Sequence, residues 1–230
     1  MKRSIDLIIF DCDGVLVDSE PLAAAAMAEV LGRAGHAVPP SIILRSVGRK
    51  QDDIIRDVEG FLGSPVAPAA LADLWPATRA AFRGRLQPTS GITAFLRELR
   101  TARCVASSSS HQRIAFSLAE TGLAEFCPPE VVFSGHDVAR GKPAPDLFLH
   151  AAACMGVAPE RCLVIEDSRY GVQGAVAAGA LAVGYTGGSH APDAAALRAA
   201  GATWAAGSWT DMARQLAEYE LGSPRGNAGA

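Results

Sequence analysis

The first residues that could do chemistry lie in "IIFDCDGVLVDSE", Ile8 to Glu20, where an apolar run ends in Asp11 and Asp13, with Asp18 following. Side chains of an extended segment alternate between two faces, so Asp11 and Asp13 share one side while Cys12 points away from them into the core. Carboxylates held that close oppose each other's ionisation, and the arrangement calls for a cation. Polar groups follow later apolar runs in the same way. Ser107 and Ser108 end the run that begins at Cys104, Glu166 and Asp167 end "CLVIE", and Lys142 stands in "GKPAPD", beyond "VVF" and before a proline-led helix start.

The elements that must position these groups are short apolar runs separated by helical patterns. "LIIF", "CVAS", "VVF", "CLVIE" and "LAVGY" read as strands buried on both faces. In "GITAFLREL", Ile92, Phe95, Leu96 and Leu99 form one helical face, and "PDLFLHAAACMG" and "DSRYGVQGAVAAG" are helical segments that close on glycine. Strand and helix in alternation specify an α/β fold with a Rossmann-like, doubly wound parallel sheet. Ligands of such sheets bind outside the carboxyl ends of the strands, which gathers the acids, the serines and the lysine on one edge.

The first crossover is far longer than one helix requires, so a domain is inserted there. "PLAAAAMAEVLGRAG", with Leu22, Met27, Val30 and Leu31 on one face, "QDDIIRDVEGFL", and "APAALADLWPATRAAFRGRL", interrupted at Pro76, are its helices. The expected division is a catalytic core at residues 1–18 and 88–220, a helical cap at 19–87 with hinges at 18–21 and 87–91, and a disordered tail at 221–230. Asp18 reads as a capping or hinge residue.

Composition excludes several classes. With 49% apolar and 20% charged residues and a net charge of -3, the sequence is that of an ordinary globular protein. It lacks a basic stripe or aromatic platforms for nucleic acid, an apolar run long enough for a membrane span, and the pattern of a signal peptide. The expectation is a cytoplasmic protein, monomeric by default, with neither nucleic-acid nor membrane partners. Five scattered cysteines suggest neither disulfides nor a zinc site. His36, His111, His136, His150 and His190 show no ligand spacing and read as structural or surface residues, His111 lying nearest the serine run. "GHDVARGKP" has one residue too many before its Gly-Lys, and Pro143 where a phosphate-binding loop needs Ser or Thr.

Gathered on one edge, the acids repel one another unless a hard divalent cation joins them. Mg²⁺ suits oxygen ligands and commonly bridges carboxylates to a substrate phosphate. A lysine, a hydroxyl and backbone N–H groups at a strand-to-helix turn are the groups that hold phosphate.

"DCDGVLVDS", "VASSSS", "GKPAPD" and "IEDSRYGVQGAVAAG" together resemble, in order and over nearly the whole chain, the four motifs of haloacid dehalogenase superfamily phosphohydrolases. The chain is similar to the branch that holds β-phosphoglucomutase, phosphoglycolate phosphatase and sugar-phosphate phosphatases. That resemblance implies Asp11 as the nucleophile, Asp13 as general acid and base, and Ser107, Ser108 and Lys142 as holders of the transferring phosphoryl group. It implies Mg²⁺ on the Asp11 carboxylate, the Asp13 carbonyl and Asp167, with Glu166 as ligand or as support behind the ligands. Arg49 and Lys50, in "SVGRKQDDI", lie where relatives present a basic residue to substrate; a solvated helix end is the other reading of that pair. Where the mutase branch carries a catalytic cap histidine, this chain has Ala23, which favours a phosphatase of a small phosphorylated metabolite (a sugar phosphate, a phosphorylated sugar acid or phosphoglycolate) over a hexose-phosphate mutase. A non-catalytic phosphometabolite sensor is a third possibility, disfavoured by the intact acids, serine and lysine.

Overall fold

A computed structural model describes residues 3–190 and 193–222. Its centre is a six-stranded parallel sheet of β2 (Leu7–Phe10), β3 (Ala102–Ser107), β4 (Val132–Ser134), β5 (Cys162–Glu166), β6 (Leu181–Tyr185) and β7 (Ala205–Ala206). The spatial order is β4-β3-β2-β5-β6-β7, so the chain reverses its winding at β2, which pairs with β3 on one side and β5 on the other. β1 (Ser4–Ile5) pairs in parallel with β8 (Glu220–Leu221) apart from this sheet. Leu221, expected at the head of the tail, is therefore a strand residue whose register follows from Ser4 and Ile5; residues 223–230 lie outside the described residues.

Alternation along the strands sends their side chains into two cores. Ile8, Phe10, Val105 and Ile165 pack on one face against α5 (Ile92–Glu98), α6 (His111–Glu120) and α10 (Trp209–Leu216). Leu7, Ile9, Cys104 and Val164 pack on the other against α7 (Asp146–Cys154), α8 (Arg169–Ala177) and α9 (Ala194–Ala199). Covering both faces is what makes these strands uninterrupted apolar runs. The helix expected to start at Pro143 begins instead at Asp146, after a turn closed by Ala144 N–H donating to the Gly141 carbonyl at 2.9 Å.

Between β2 and β3 lie α1 (Glu20–Arg33), α2 (Pro40–Leu44), α3 (Gln51–Leu62) and α4 (Pro68–Phe82), with an apolar cluster of their own built on Val30, Leu31, Ile43, Val58 and Leu74. Leu22 is not on the Val30 and Leu31 face: at 100° per residue it lies opposite Leu31, and it packs against the sheet's core. α4 runs unbroken through Pro76, contrary to the interruption expected there. A proline removes one N–H from the ladder, and packing of α4 on both sides of it holds the remaining turns. The two chain crossings to this unit are tied together, since Asp18 N–H donates to the Gln87 carbonyl at 2.9 Å and Val17 bridges Pro88. All described cysteines are free, and among the described residues no helix is long and apolar enough to cross a membrane.

Candidate active site

The winding reversal at β2 opens a crevice between the carboxyl ends of β3, β2 and β5. Asp11 lies directly beyond β2, its backbone N–H donating to the Ile165 carbonyl of β5 at 3.0 Å. Lys142 reaches it from the loop after β4. The ammonium is fully buried, 2.8 Å from Asp11 Oδ1 and 2.6 Å from Glu166 Oε1, and it also donates to the Ala106 carbonyl at 3.1 Å. Glu166 takes its other oxygen to Ser168, accepting from the hydroxyl at 2.9 Å. Asp13 accepts from Ser19 Oγ at 2.5 Å, Ser109 Oγ at 2.6 Å and Arg113 Nη2 at 2.8 Å.

Electrostatics separates the two aspartates. Burial pushes the Asp11 carboxyl up to about 7 even with Lys142 beside it. Burial would raise Asp13 as well, but Arg113, Ser109 and Ser19 outweigh it and hold that carboxyl below its usual range. Glu166 and Asp167 are raised, chiefly by desolvation. Lys142 is raised because Asp11 and Glu166 overcome the cost of its burial.

Carboxylate oxygens of Asp11, Glu166 and Asp167 lie within 4.8 Å of one another, all buried, and neither Asp167 oxygen has a hydrogen-bond partner. His190 Nε2 comes within 2.8 Å of Asp167 Oδ2 without the alignment of a hydrogen bond. A buried, all-oxygen donor set with unused lone pairs fits a hard divalent cation. Gly14, at φ +78°, keeps the approach open, because a Cβ there would overlap the Asp167 carboxylate.

The helical unit closes over this crevice. Ser108 Oγ donates to the Gly48 carbonyl at 2.7 Å, and Gly48, at φ +87°, passes so near Ser168 that a Cβ would overlap its hydroxyl. A cleft of ≈ 250 Å³ remains, lined by Asp11, Asp13, Ser107 and Ser108 below and by Glu20, Arg49 and Trp75 above. Ligand pockets run from about 300 to 1,000 Å³, so the space suits a compact ligand.

Arg49 lines that cleft, but its guanidinium pairs with Asp57 at 2.5 Å and lies 5.2 Å from the Tyr170 ring centroid. Lys50 is outside the lining; it lies along Gly141 and donates to the Val138 carbonyl at 2.8 Å, joining helical unit to sheet. Asp18 caps no helix: its Oδ1 accepts from the Ser189 hydroxyl at 2.8 Å. His111 pairs with Asp137, 2.8 Å away, off the cleft. Ser19, Glu20, Ser109, Arg113 and His190 belong to the site and escape a reading of strand ends: Ser19 and Ser109 lie within the motifs, Glu20 and Arg113 one and three residues past them, and His190 on a loop with no motif of its own.

Two carboxylates in opposed environments, a buried ammonium and a serine turn at the winding reversal of a capped parallel sheet define an α/β enzyme built for phosphoryl chemistry. Residues 5–179 match the haloacid dehalogenase-like hydrolases, and the chain belongs to that family as a phosphoric monoester hydrolase. It is 32% identical over 177 residues to 6-phosphogluconate phosphatase of Escherichia coli K12, covering 76% of this chain and 80% of that one. With hexitol phosphatase A of the same organism it shares 31% identity over 181 residues, 74% of this chain and 78% of the other. A haloacid dehalogenase family hydrolase of Deinococcus radiodurans, solved with bound phosphate and sodium, superposes with a TM-score of 0.75 at 32% identity, covering 96% of this chain and 99% of that one.

Proposed function

We propose that this protein is a Mg²⁺-dependent phosphatase that hydrolyses a small phosphorylated metabolite of the sugar-phosphate class through an aspartyl-phosphate on Asp11. The observation that carries the reading is the pairing of Lys142 with both Asp11 and Glu166 at the mouth of β2, beside an Asp13 held in a different electrostatic state. The phosphate seen in the Deinococcus relative and the substrates named for the E. coli relatives support it.

Asp11 attacks phosphorus as the bond to the leaving alkoxide breaks, and Asp13, protonated once a phosphate dianion lies beside it, gives that proton to the departing oxygen. A water then loses a proton to Asp13 and attacks the same phosphorus, breaking the bond to Asp11 and freeing phosphate. Ser107, Ser108 and Lys142 hold the phosphoryl oxygens, and Lys142 keeps Asp11 oriented. Asp11 and Asp167 would hold Mg²⁺ together with the Asp13 carbonyl, while Glu166 supports Lys142; the ion, when bound, would supply positive charge to keep Asp11 ionised and to neutralise the transferring oxygens. Ala23, buried in the first turn of α1, offers no group to carry a proton to a second substrate hydroxyl, which favours hydrolysis over mutase chemistry.

Phosphate release from a panel of sugar phosphates, sugar-acid phosphates and phosphoglycolate, with and without Mg²⁺, tests the reading. Release that requires the metal and disappears in Asp11→Asn is expected. Metal-independent release, or release that survives in Asp11→Asn, would refute it.

A further inference from the structure

At the phosphoryl end of the cleft the one buried ammonium, Lys142, is shared between Asp11 and Glu166. Two arginines also line the cleft, and each already faces a carboxylate. Arg49 is held by Asp57 at 2.5 Å with Asp53 at 3.7 Å, and Arg113 is held by Asp13 at 2.8 Å. The Nε of each guanidinium is buried and has no hydrogen-bond partner among the described residues. Lys50, the remaining nearby cation, has its ammonium turned to the Val138 carbonyl. His136 also lines the cleft and is exposed to solvent.

The rest of the lining offers uncommitted groups of another kind. Glu20, Gln51, Asp52, Gln112 and the Trp75 indole line the cleft, and none makes a side-chain hydrogen bond among the described residues. Amides, carboxyls and an indole N–H suit hydroxyl groups, which both donate and accept. Trp75 is fixed edge-on against Phe116, with centroids 5.8 Å apart, and presents an apolar wall to carbon-bound hydrogens. A second anion placed here meets carboxyl groups and arginines whose charge is already balanced, and loses its hydration without a counter-charge.

We infer that the leaving-group side of the cleft takes an uncharged, polyhydroxylated tail, so that the protein prefers monophosphates of neutral polyols and sugars to compounds carrying a second anionic group. This rests on the phosphatase reading above. It sets the chain apart from the substrate named for its 6-phosphogluconate relative and beside that named for hexitol phosphatase A.

The test is kcat/KM at low ionic strength, with Mg²⁺, for sorbitol 6-phosphate and fructose 1-phosphate against 6-phosphogluconate, phosphoglycolate and fructose 1,6-bisphosphate. A preference of about tenfold or more for the first pair is expected, the scale of one like-charge contact at moderate screening. The same order is expected in dissociation constants measured calorimetrically with Asp11→Asn, where no turnover intervenes. Asp52→Lys, an exposed substitution at the cleft rim, should shift the ratio at least threefold toward 6-phosphogluconate. Equal or better use of the compounds with an anionic tail, or an unchanged ratio in Asp52→Lys, would overturn the inference while leaving the phosphatase reading intact. Release from no compound would overturn both.

Discussion

Arg113 Nη2 donates to Asp13 Oδ1 at 2.8 Å across a hundred residues of sequence, with the guanidinium 5.3 Å from the Phe82 ring centroid of α4. The contact fixes a buried carboxylate that, in the mechanism proposed above, exchanges a proton in each half of the reaction. Arg113→Ala removes the charge while Ser19 and Ser109 still hold the oxygens. The expected result is a fall in kcat of ~10²-fold with KM changed little, because proton transfer rather than binding is lost. Arg113→Lys should recover part of the loss. An unchanged kcat in Arg113→Ala would mean that Asp13 does not depend on this partner.

How much of this was legible beforehand follows from where each partner sits in the chain. Asp11, Ser107 and Glu166 each end or follow an apolar run, and the rule that ligands meet strand ends brings them together without coordinates. Arg113 lies within α6 and Ser19 at the start of α1, and nothing local says that either points at Asp13. The same gap explains the basic pair: "GRK" reads as two available cations, whereas Asp57, six residues beyond α3's first residue, takes Arg49, and the loop after β4 takes Lys50. The two-residue strands β1, β7 and β8 carry too few side chains to show a period, and their pairing is fixed by distant neighbours.

Asp167 gives a test of the metal site that does not require turnover. Its oxygens make no aligned hydrogen bond even with His190 Nε2 2.8 Å away, and burial raises its carboxyl, a cost that a bound cation would relieve. Mg²⁺ at about a hundred times its dissociation constant adds ~2.7 kcal/mol. For a chain of this size that is a rise in Tm of roughly 5–10 °C. The rise should vanish in Asp167→Asn and persist with Ca²⁺-free, EDTA-treated protein to which only Mg²⁺ is returned. An equal rise in both proteins would place the ion elsewhere.

Glu20 links the cleft to pH. Burial, reinforced by the charge of Asp13, lifts its carboxyl from 4.5 to about 8. Between those values the folded protein binds a proton that the unfolded chain releases, so stability falls as pH rises through this window. Glu20→Gln cannot ionise, and the decline should flatten. Relative to the native protein the variant should be close to neutral at pH 5 and more stable at pH 8.5 by ~1–2 kcal/mol, a partly exposed group realising only part of the full shift. Parallel denaturation curves at the two pH values would show instead that Glu20 is ionised in the folded state throughout.

Pro76 poses the remaining question, why a helix breaker sits inside α4, Pro68–Phe82. Its ring nitrogen cannot donate to the Ala72 carbonyl and its ring crowds that turn. Two residues further on, Thr78 Oγ1 donates to the Leu74 carbonyl at 2.8 Å, a side-chain bond of the kind that accompanies a bent helix. Alanine would restore the N–H and relieve the crowding, a gain of up to ~3 kcal/mol, reduced by the greater freedom of the unfolded chain. Pro76→Ala is therefore expected to raise stability by ~1–2 kcal/mol in urea with an unchanged m-value. Destabilisation would show that the proline's bend is what sets Trp75 against Phe116 and over the cleft, and KM for the preferred monophosphate should then rise in the same variant.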